Sequence, residues 1–449
     1  MKQSKLLLAF GFAAFTFLGL SIVASPNAKA ALDGTNDPIL YVDQNPCVDA
    51  CDTSQPAATV VTTTPSGSDE VVAATSDTYV SSATISAPTT TGSHDIVYSS
   101  DAVSCTEPVV PEVVNPLDAV SCDSGTVIQA QINKVTIDAD RNPVGSPTTL
   151  VTLPTLVDSN YSTDTVYNLS YAPDSNSVLA SRNSIADGDG ITDYLATLEK
   201  IDTTTGDVTT IVDPTCDVLL RGGYGANGAI YFSKSNYESK GNGCLEDQSY
   251  GSNIWYIPAG QTEAVQLTFD EEDANNIAEY YIDASPDNTQ LLVVDANTCS
   301  YPYNVVFGLP FLPEGGCAYY YVNIADGSLT AIPEMNAQFV PKFFSPDGAS
   351  LIGTLYPVEV ITLLRSFDPS LPSTAIASRT DLANPVAITN LVGIQEWAPG
   401  VAVVPTTTPV TTVSATLPNT GSSTTFALAF ALGLMVLGGA TVATASRRQ

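Results

Sequence analysis

The stretch IDASPDNTQLLV at Ile282–Val293 recurs along the chain in related form, and this repetition decides the fold. The related stretches are LSYAPDSNSVLA at 169–180, GGYGANGAIYF at 222–232, FFSPDGASLIG at 343–353 and a shorter QEWAPGVAVV at 395–404. When they are aligned on Pro173, Ala226, Pro286, Pro346 and Pro399, successive copies are 53, 60, 60 and 53 residues apart. Pro fixes φ at the first turn position, and Gly or Asn accepts the positive φ that follows. Each copy is therefore predicted to be a β-hairpin.

A second hairpin follows several copies. The clearest case is YLATLEKID at 194–202, the turn TTTGD at 203–207, and VTTIV at 208–212. Two hairpins per unit at a period of 50–60 residues predict the four-stranded blades of an all-β propeller. We expect about five blades, or six if the segment around Asp101–Cys122 adds strands. Because several copies lack the full motif, a repetitive β-sandwich or a solenoid is the alternative.

The repeat also resembles a known family. The SPDG turn at 345–348, together with Tyr256, Gly260 and Leu267, resembles the TolB-like, WD-type propeller repeat. The resemblance implies a propeller over residues 126–405. We expect its ring to close by joining N- and C-terminal strands, since closure removes free sheet edges. The strands predicted to share the closing blade are Val127–Leu153 and Gln395–Val404.

The N-terminus has the features of an export signal. Lys2 and Lys5 precede an apolar run, and the small residues Ala28 and Ala30 follow it. This pattern predicts a signal peptide over residues 1–30 that is cleaved after Ala30. The alternative is an uncleaved membrane anchor.

The C-terminus has three parts in order, namely an LPNTG pentapeptide, an apolar stretch at 426–445 and a final arginine pair. About twenty apolar residues can cross a bilayer as a helix, with the arginines on the cytoplasmic side. This ending, residues 417–449, resembles the LPxTG cell-wall sorting signal of Gram-positive surface proteins. The alternative is a plain C-terminal membrane helix. The motif residues are Leu417, Pro418, Asn419, Thr420 and Gly421.

The resemblance to a sorting signal implies two partners, a sortase and a peptidoglycan precursor. Sortase would cut between Thr420 and Gly421 and join Thr420 to the precursor. The protein would then be extracellular and covalently attached to the wall, and its precursor would be held transiently in the membrane. The Thr/Pro-rich residues 406–416 would form a short stalk.

The chain is strongly acidic, with 15 Lys+Arg against 47 Asp+Glu among 449 residues. The two processed ends carry five basic residues and no acidic one, so the mature piece has 10 against 47, a net charge of −37. Nucleic acid is excluded as a partner because its phosphates require a basic face. Residues 31–125 are Ser/Thr-rich and are predicted to form either an extended arm or a small β-module.

Histidine and cysteine limit the chemistry. The single histidine, His94, excludes a His-rich metal site and a Ser-His-Asp triad, and we expect it to be exposed. Eight cysteines in the exported part favour disulfides, although eight allow 105 pairings. The predicted pairs join nearest neighbours: Cys47–Cys51, Cys105–Cys122, Cys216–Cys244 and Cys299–Cys317.

One loop has the pattern of a weak calcium site. In DGDGITD, the carboxylates of Asp187, Asp189 and Asp193 alternate along a glycine-containing loop, as hard cations prefer. Ile191 and Leu198 occupy positions where an EF-hand loop has ligands, and an ordinary solvated turn is the alternative. Calcium is the one cofactor that the sequence suggests.

No catalytic residue is predicted, because the chain has no Gly-x-Ser-x-Gly elbow, no His-Glu-x-x-His motif and no phosphate loop. The leading hypothesis is a non-enzymatic, wall-anchored surface protein whose propeller binds an extracellular protein or glycan in adhesion. The alternative is a secreted hydrolase or lyase that uses bound calcium and carboxylates.

Overall fold

The structure is a computed structural model. It describes residues 37–44, 56–64, 69–104, 127–156, 162–187, 192–217, 220–235, 252–269, 279–295, 298, 303–304, 309–310, 317–332, 335–336, 339–355, 373–389 and 394–399. These residues belong to one compact unit that ends at Ala402. Every regular element among them is a β-strand. None of the described residues forms a helix of the length and hydropathy that a membrane span requires.

The strands fall into blades along the chain. Blade 1 contains β1 (Ile39–Gln44), β2 (Ala58–Thr63) and β3 (Val71–Ser76). Blade 2 contains β4 (Val80–Ile85), β5 (His94–Ser104), β6 (Val127–Ile137) and β7 (Pro143–Thr152). Blade 3 contains β8 (Ser162–Tyr171), β9 (Ser177–Asp187), β10 (Thr192–Asp202) and β11 (Val208–Thr215).

The second half continues the series. Blade 4 contains β12 (Arg221–Tyr224), β13 (Ile230–Ser235), β14 (Ser252–Ile257) and β15 (Val265–Gln266). Blade 5 contains β16 (Glu279–Ala284) and β17 (Gln290–Asp295), then a separate short pair, β18 (Tyr303–Asn304) with β19 (Leu309–Pro310), and finally β20 (Ala318–Asn323) and β21 (Leu329–Ala331). Blade 6 contains β22 (Phe339–Phe344), β23 (Ser350–Leu355), β24 (Ser373–Ser378) and β25 (Asp381–Thr389). The last strand, β26 (Ile394–Trp397), returns to blade 1.

The described strands form a closed ring of six four-stranded antiparallel blades. A short parallel pairing of Val127 and Ile128 with Ser162 and Thr163 merges blades 2 and 3 into one eight-stranded sheet. The inner strands β26, β4, β8, β12, β16 and β22 contact one another in this order, and β22 contacts β26. The all-β propeller is therefore confirmed, with six blades.

The ring closes through a different strand from the one predicted. Strand β26 pairs with β1, with Leu40 opposite Glu396 and Ile39 opposite Trp397. The predicted partner, Val127–Leu153, instead forms the two outer strands of blade 2, because β4 and β5 already supply that blade's inner hairpin. The predicted start of the propeller at residue 126 is wrong for the same reason. The Ser/Thr-rich segment supplies strands β1–β5.

The hairpin turns have the geometry that their residues predict. Asn288 and Gly348 adopt φ of 55° and 70° after their Pro-Asp pairs. The aspartates fix these turns, since Asp287 Oδ1 accepts a hydrogen bond from the amide of Thr289 at 3.1 Å, and Asp347 Oδ1 accepts one from Ala349 at 3.0 Å. The Pro-Asp turn is thus a local element that the sequence encodes completely.

The hydrophobic core is divided among the six interfaces between neighbouring blades. Ile39, Phe343 and Ile394 pack between blades 6 and 1, and Leu198 and Phe232 pack between blades 3 and 4. Comparable buried clusters fill the other four interfaces. Burial of apolar area at every interface, worth roughly 25 cal/mol per Å², holds the ring together.

His94 corrects one expectation from the sequence. The residue begins β5, its side chain is only 5% exposed, and Nδ1 lies 2.8 Å from the carbonyl oxygen of Ser86. The surrounding Ser/Thr-rich text suggested exposure, but the strand pairs on both sides with β4 and β6. His94 is therefore a buried structural side chain.

Candidate functional site in the central channel

The inner strands bring one equivalent position from each blade to the centre of the ring. Five of these positions lie two residues before the residue whose amide closes the hairpin turn. The sixth lies two residues before Ala398, whose amide donates to the carbonyl oxygen of Pro38. We call these six residues the inner ring: Thr84, Ser170, Gly223, Asp283, Phe343 and Glu396.

Four members of the inner ring accept a hydrogen bond from the next blade. The amide of Tyr171 donates to Thr84 Oγ1 at 3.1 Å, and the amide of Tyr224 donates to Ser170 Oγ at 3.0 Å. The two carboxylates repeat this contact. The amide of Phe344 donates to Asp283 Oδ2 at 2.8 Å. The amide of Ile85 donates to Glu396 Oε2 at 2.9 Å. These bonds link adjacent blades at the channel.

The other two blade interfaces close without a side-chain acceptor at this position. Gly223 has no side chain, and an added Cβ would lie 2.6 Å from the hydroxyl oxygen of Tyr281. Phe343 is buried with the apolar cluster between blades 6 and 1. A carboxylate is therefore not required to join two blades here, so Asp283 and Glu396 need a further explanation.

Two cations lie on the inner strands with these acids. Arg221, at the start of β12, donates from Nη2 to Asn168 Oδ1 at 3.0 Å, and its guanidinium lies 5.4 Å from the centre of the Tyr280 ring. Lys342 lies on β22, one residue before Phe343. Arg221 acts electrostatically on both Lys342 and Asp283. The channel thus holds a mixed set of two bases and two acids.

Lys342 occupies a β-bulge. The pairing of β22 with β23 skips it, because Pro341 lies opposite Gly353 and Phe343 lies opposite Ile352. A bulge re-aims a side chain and is frequent beside functional sites. The Lys342 side chain keeps contact with solvent although protein atoms surround it.

The channel shifts three pKa values toward neutrality. Burial raises the pKa of Glu396 to about 8, and the charge of Asp283 adds to this rise, while hydrogen bonds from Thr84 and Ile85 oppose it. Burial likewise raises the pKa of Asp283 to about 7, against hydrogen bonds from Phe344 and Ala284 and the charge of Arg221. Burial and the charge of Arg221 lower the pKa of Lys342 to about 8. All three groups can exchange protons near pH 7–8.

A second buried charge cluster lies within blade 3. Arg182 is fully buried and contacts Asp164 at 3.3 Å and Glu199 at 3.0 Å. Its strand β9 runs between β8 and β10, which carry the two acids. Burial raises the pKa of both carboxyls, and the charge of Arg182 opposes this rise. The cluster joins three strands of one blade, and its role is structural.

The sorting motif residues Leu417, Pro418, Asn419, Thr420 and Gly421, and the signal residues Ala28 and Ala30, lie outside the described residues. Both processing sites remain predictions.

The calcium loop is described only in part. The backbones of Asp187 in β9 and Asp193 in β10 lie on neighbouring paired strands, and Asp189 is outside the described residues. Within the described ranges, no group of three or more His, Cys, Asp and Glu residues is placed to hold a metal ion. Calcium binding stays a prediction.

Two predicted disulfide residues are described, Cys216 and Cys317, and both are disulfide-bonded. No free cysteine occurs in the described part of the chain. The nearest-neighbour pairing stays a prediction, since the other six cysteines (Cys47, Cys51, Cys105, Cys122, Cys244 and Cys299) lie outside the described residues.

Sequence reasoning missed the channel set of Arg221, Asp283, Lys342 and Glu396. A signal was present, because Asp283 and Glu396 each lie three residues before the proline of a repeat. Asp283, for example, interrupts the otherwise apolar and aromatic run Tyr280–Ala284. Their significance depends on the convergence of six strands from distant parts of the chain.

Several solved structures are similar to this chain. TolB from Acinetobacter baumannii is 15% identical with a TM-score of 0.44, over 78% of this chain and 62% of that one. A putative TolB from Agrobacterium tumefaciens is 10% identical with a TM-score of 0.41, over 82% of this chain and 94% of that one. An acylaminoacyl peptidase from Pyrococcus horikoshii is 12% identical with a TM-score of 0.41, over 76% of this chain and 43% of that one.

The chain thus spans less than two thirds of the Acinetobacter TolB chain and of the Pyrococcus peptidase. No protein family and no curated protein matches the sequence. The similarity assigns no activity to this chain.

Proposed function

We propose that this chain is a sortase-anchored cell-wall surface protein whose β-propeller binds an extracellular ligand, a protein or a glycan, in adhesion. The three-part ending from Leu417 supports the anchoring. The observation that carries the binding role is the mixed-charge channel. Two blade interfaces close with Gly223 and Phe343 at the inner ring, so ring closure alone does not account for the acids Asp283 and Glu396 at the corresponding positions.

The anchoring is tested in cells by replacing Thr420, the residue that sortase would join to the wall. Thr420→Ala should move the protein from the fraction released by wall-digesting enzymes into the membrane or the medium. Asn419→Ala is the matched control, because the motif accepts any residue at that position. Equal wall attachment of both variants would contradict the anchoring.

The binding role is tested with whole cells that display the protein. Cells should attach to a surface coated with host or matrix glycans and proteins more than cells lacking the gene do. Soluble propeller should compete for this attachment. Attachment that does not depend on the protein, in every coating tried, would remove the adhesion proposal.

A second candidate function is cleavage of a glycan, as a hydrolase or a lyase, by the acids Asp283 and Glu396. The raised pKa values of Glu396 and Asp283 favour it, because a carboxyl that keeps its proton near pH 7 can act as a general acid. This function would be established if the wild-type protein cleaves a glycan and the Glu396→Gln variant does not. Turnover that requires added calcium would support the metal-assisted form.

A further inference from the structure

We propose that the channel binds the carboxylate group of an organic acid between Arg221 and Lys342. This inference deepens the proposed function, since it names the chemistry of a ligand group that the propeller would recognise. The carboxylate could belong to a free acid or to an acidic sugar of a glycan. The two sources share the same recognition and are separated by the experiment below.

The first support is the placement of two like charges on either side of one inner strand. Arg221 lies on β12 and Lys342 on β22, and both of these strands contact β16. The charge of Arg221 lowers the pKa of Lys342. The mature protein has only 10 basic residues against 47 acidic ones. Two like charges on either side of one strand repel each other, which costs free energy. A bound anion offsets this cost.

The second support is that the Lys342 side chain is available to a ligand. Lys342 lies at a bulge and its side chain is exposed, and among the described residues it makes no ion pair or hydrogen bond. By contrast, Lys134 on the outer part of blade 2 contacts Asp95 at 2.7 Å. Lys342 therefore has donors available for a ligand.

The third support is the orientation of Arg221. Its Nη2 is fixed by Asn168, and its planar group lies over the Tyr280 ring. A guanidinium held in this way is suited to carboxylate recognition, which is frequently bidentate. The lysine then supplies a second, more mobile cation.

Protonation of the neighbouring acids also favours binding of an anion. Asp283 and Tyr281 from β16 interact with Arg221, and Glu396 from β26 interacts with Asp283. When Asp283 and Glu396 are neutral, they stop repelling an anion and can donate hydrogen bonds to it. Binding should therefore strengthen as pH falls from 8.5 to 6.

The experiment measures binding of glucuronate to the processed chain, residues 31–420, by calorimetry, with glucose as the neutral control and acetate as the free-acid probe. Glucuronate should bind and glucose should not. Binding of acetate as strongly as glucuronate would indicate recognition of the carboxylate alone, while a preference for glucuronate would indicate an acidic sugar. Absence of binding by both acids at pH 6 would overturn the proposal.

Substitutions locate the site. Lys342→Met should weaken binding at least about tenfold, because it removes a charge-assisted hydrogen bond, without lowering the melting temperature, since it also removes a repulsion. Lys134→Met should leave binding unchanged. Glu396→Gln should strengthen binding at pH 8 and flatten its pH dependence. Unchanged binding in Lys342→Met would contradict the site.

The outcomes also separate this inference from the adhesion proposal. If cells that display Lys342→Met attach as well as wild-type cells while glucuronate binding is lost, the channel site stands and the adhesion ligand binds elsewhere. If attachment depends on the protein but neither acid binds, adhesion stands and the channel inference fails.

Discussion

The amide of Ile85 donates a hydrogen bond to Glu396 Oε2 at 2.9 Å, across 311 residues of sequence. The same oxygen accepts from Thr84 Oγ1 at 2.5 Å. These contacts join β26, the last strand, to the inner strand of blade 2, next to the β1–β26 pairing that closes the ring. Glu396 therefore takes part in ring closure and in the channel charge set at the same time.

Substitutions at Glu396 should separate these two roles. Glu396→Gln keeps a carbonyl oxygen for Ile85 and should leave the free energy of unfolding at pH 7 unchanged or higher. Glu396→Ala leaves the amide of Ile85 without this acceptor and should cost about 1–3 kcal/mol. Urea denaturation of both variants measures this difference. Equal stability of the two would show that the hydrogen bond contributes nothing.

The protein should lose stability as pH rises from about 5 to 8. Folding raises the pKa of Glu396 from 4.5 to about 8, and that of Asp283 and Asp101 from 3.8 to about 7. A carboxyl with a raised pKa contributes stability that is fully present below its unfolded pKa and is lost as pH rises through the folded value.

The melting temperature across this pH range measures the effect. Lys342 acts in the opposite sense only above about pH 8, because its folded pKa lies below the unfolded 10.5. Glu396→Gln should reduce the slope between pH 5 and 8. A melting temperature that rises steadily over this range would show that these carboxyls are not protonated in the folded state.

Loss of Arg182 should be severe. Arg182→Met leaves Asp164 and Glu199 buried without their cation, and breaking a buried pair in this way costs about 3–5 kcal/mol. Lys134→Met is the matched control, because its pair with Asp95 is partly exposed and should be worth at most about 1 kcal/mol. Equal effects in chemical denaturation would contradict the structural part assigned to the blade 3 cluster.

The Pro-Asp hairpins could be predicted because their signal is local. Proline, aspartate and a residue that accepts positive φ suffice to specify the turns around Pro286 and Pro346. Blades 1 and 2 lack this signal. Their strands use small and β-branched residues, such as the fully buried Thr62 and Thr63, which also suit a solvated stalk.

The closing strand and the channel could not be predicted in the same way. The pairing of Ile39 with Trp397 joins residues at opposite ends of the chain, and no local pattern specifies it. Asp283 lies within a repeat and Lys342 directly before one, but their significance depends on which other strands converge beside them. Both features arise from tertiary assembly.

The pairing of β1 with β26 is the most direct test of the account, since it closes the ring and brings Glu396 to the channel. Ile39 and Trp397 lie directly opposite each other, at a spacing that antiparallel strands share with disulfides. Ile39→Cys with Trp397→Cys should form an intramolecular disulfide, detected by mass spectrometry of peptides after digestion. Ile128→Cys with Trp397→Cys should form none. A bridge in the second variant and none in the first would contradict the closed ring described for this chain.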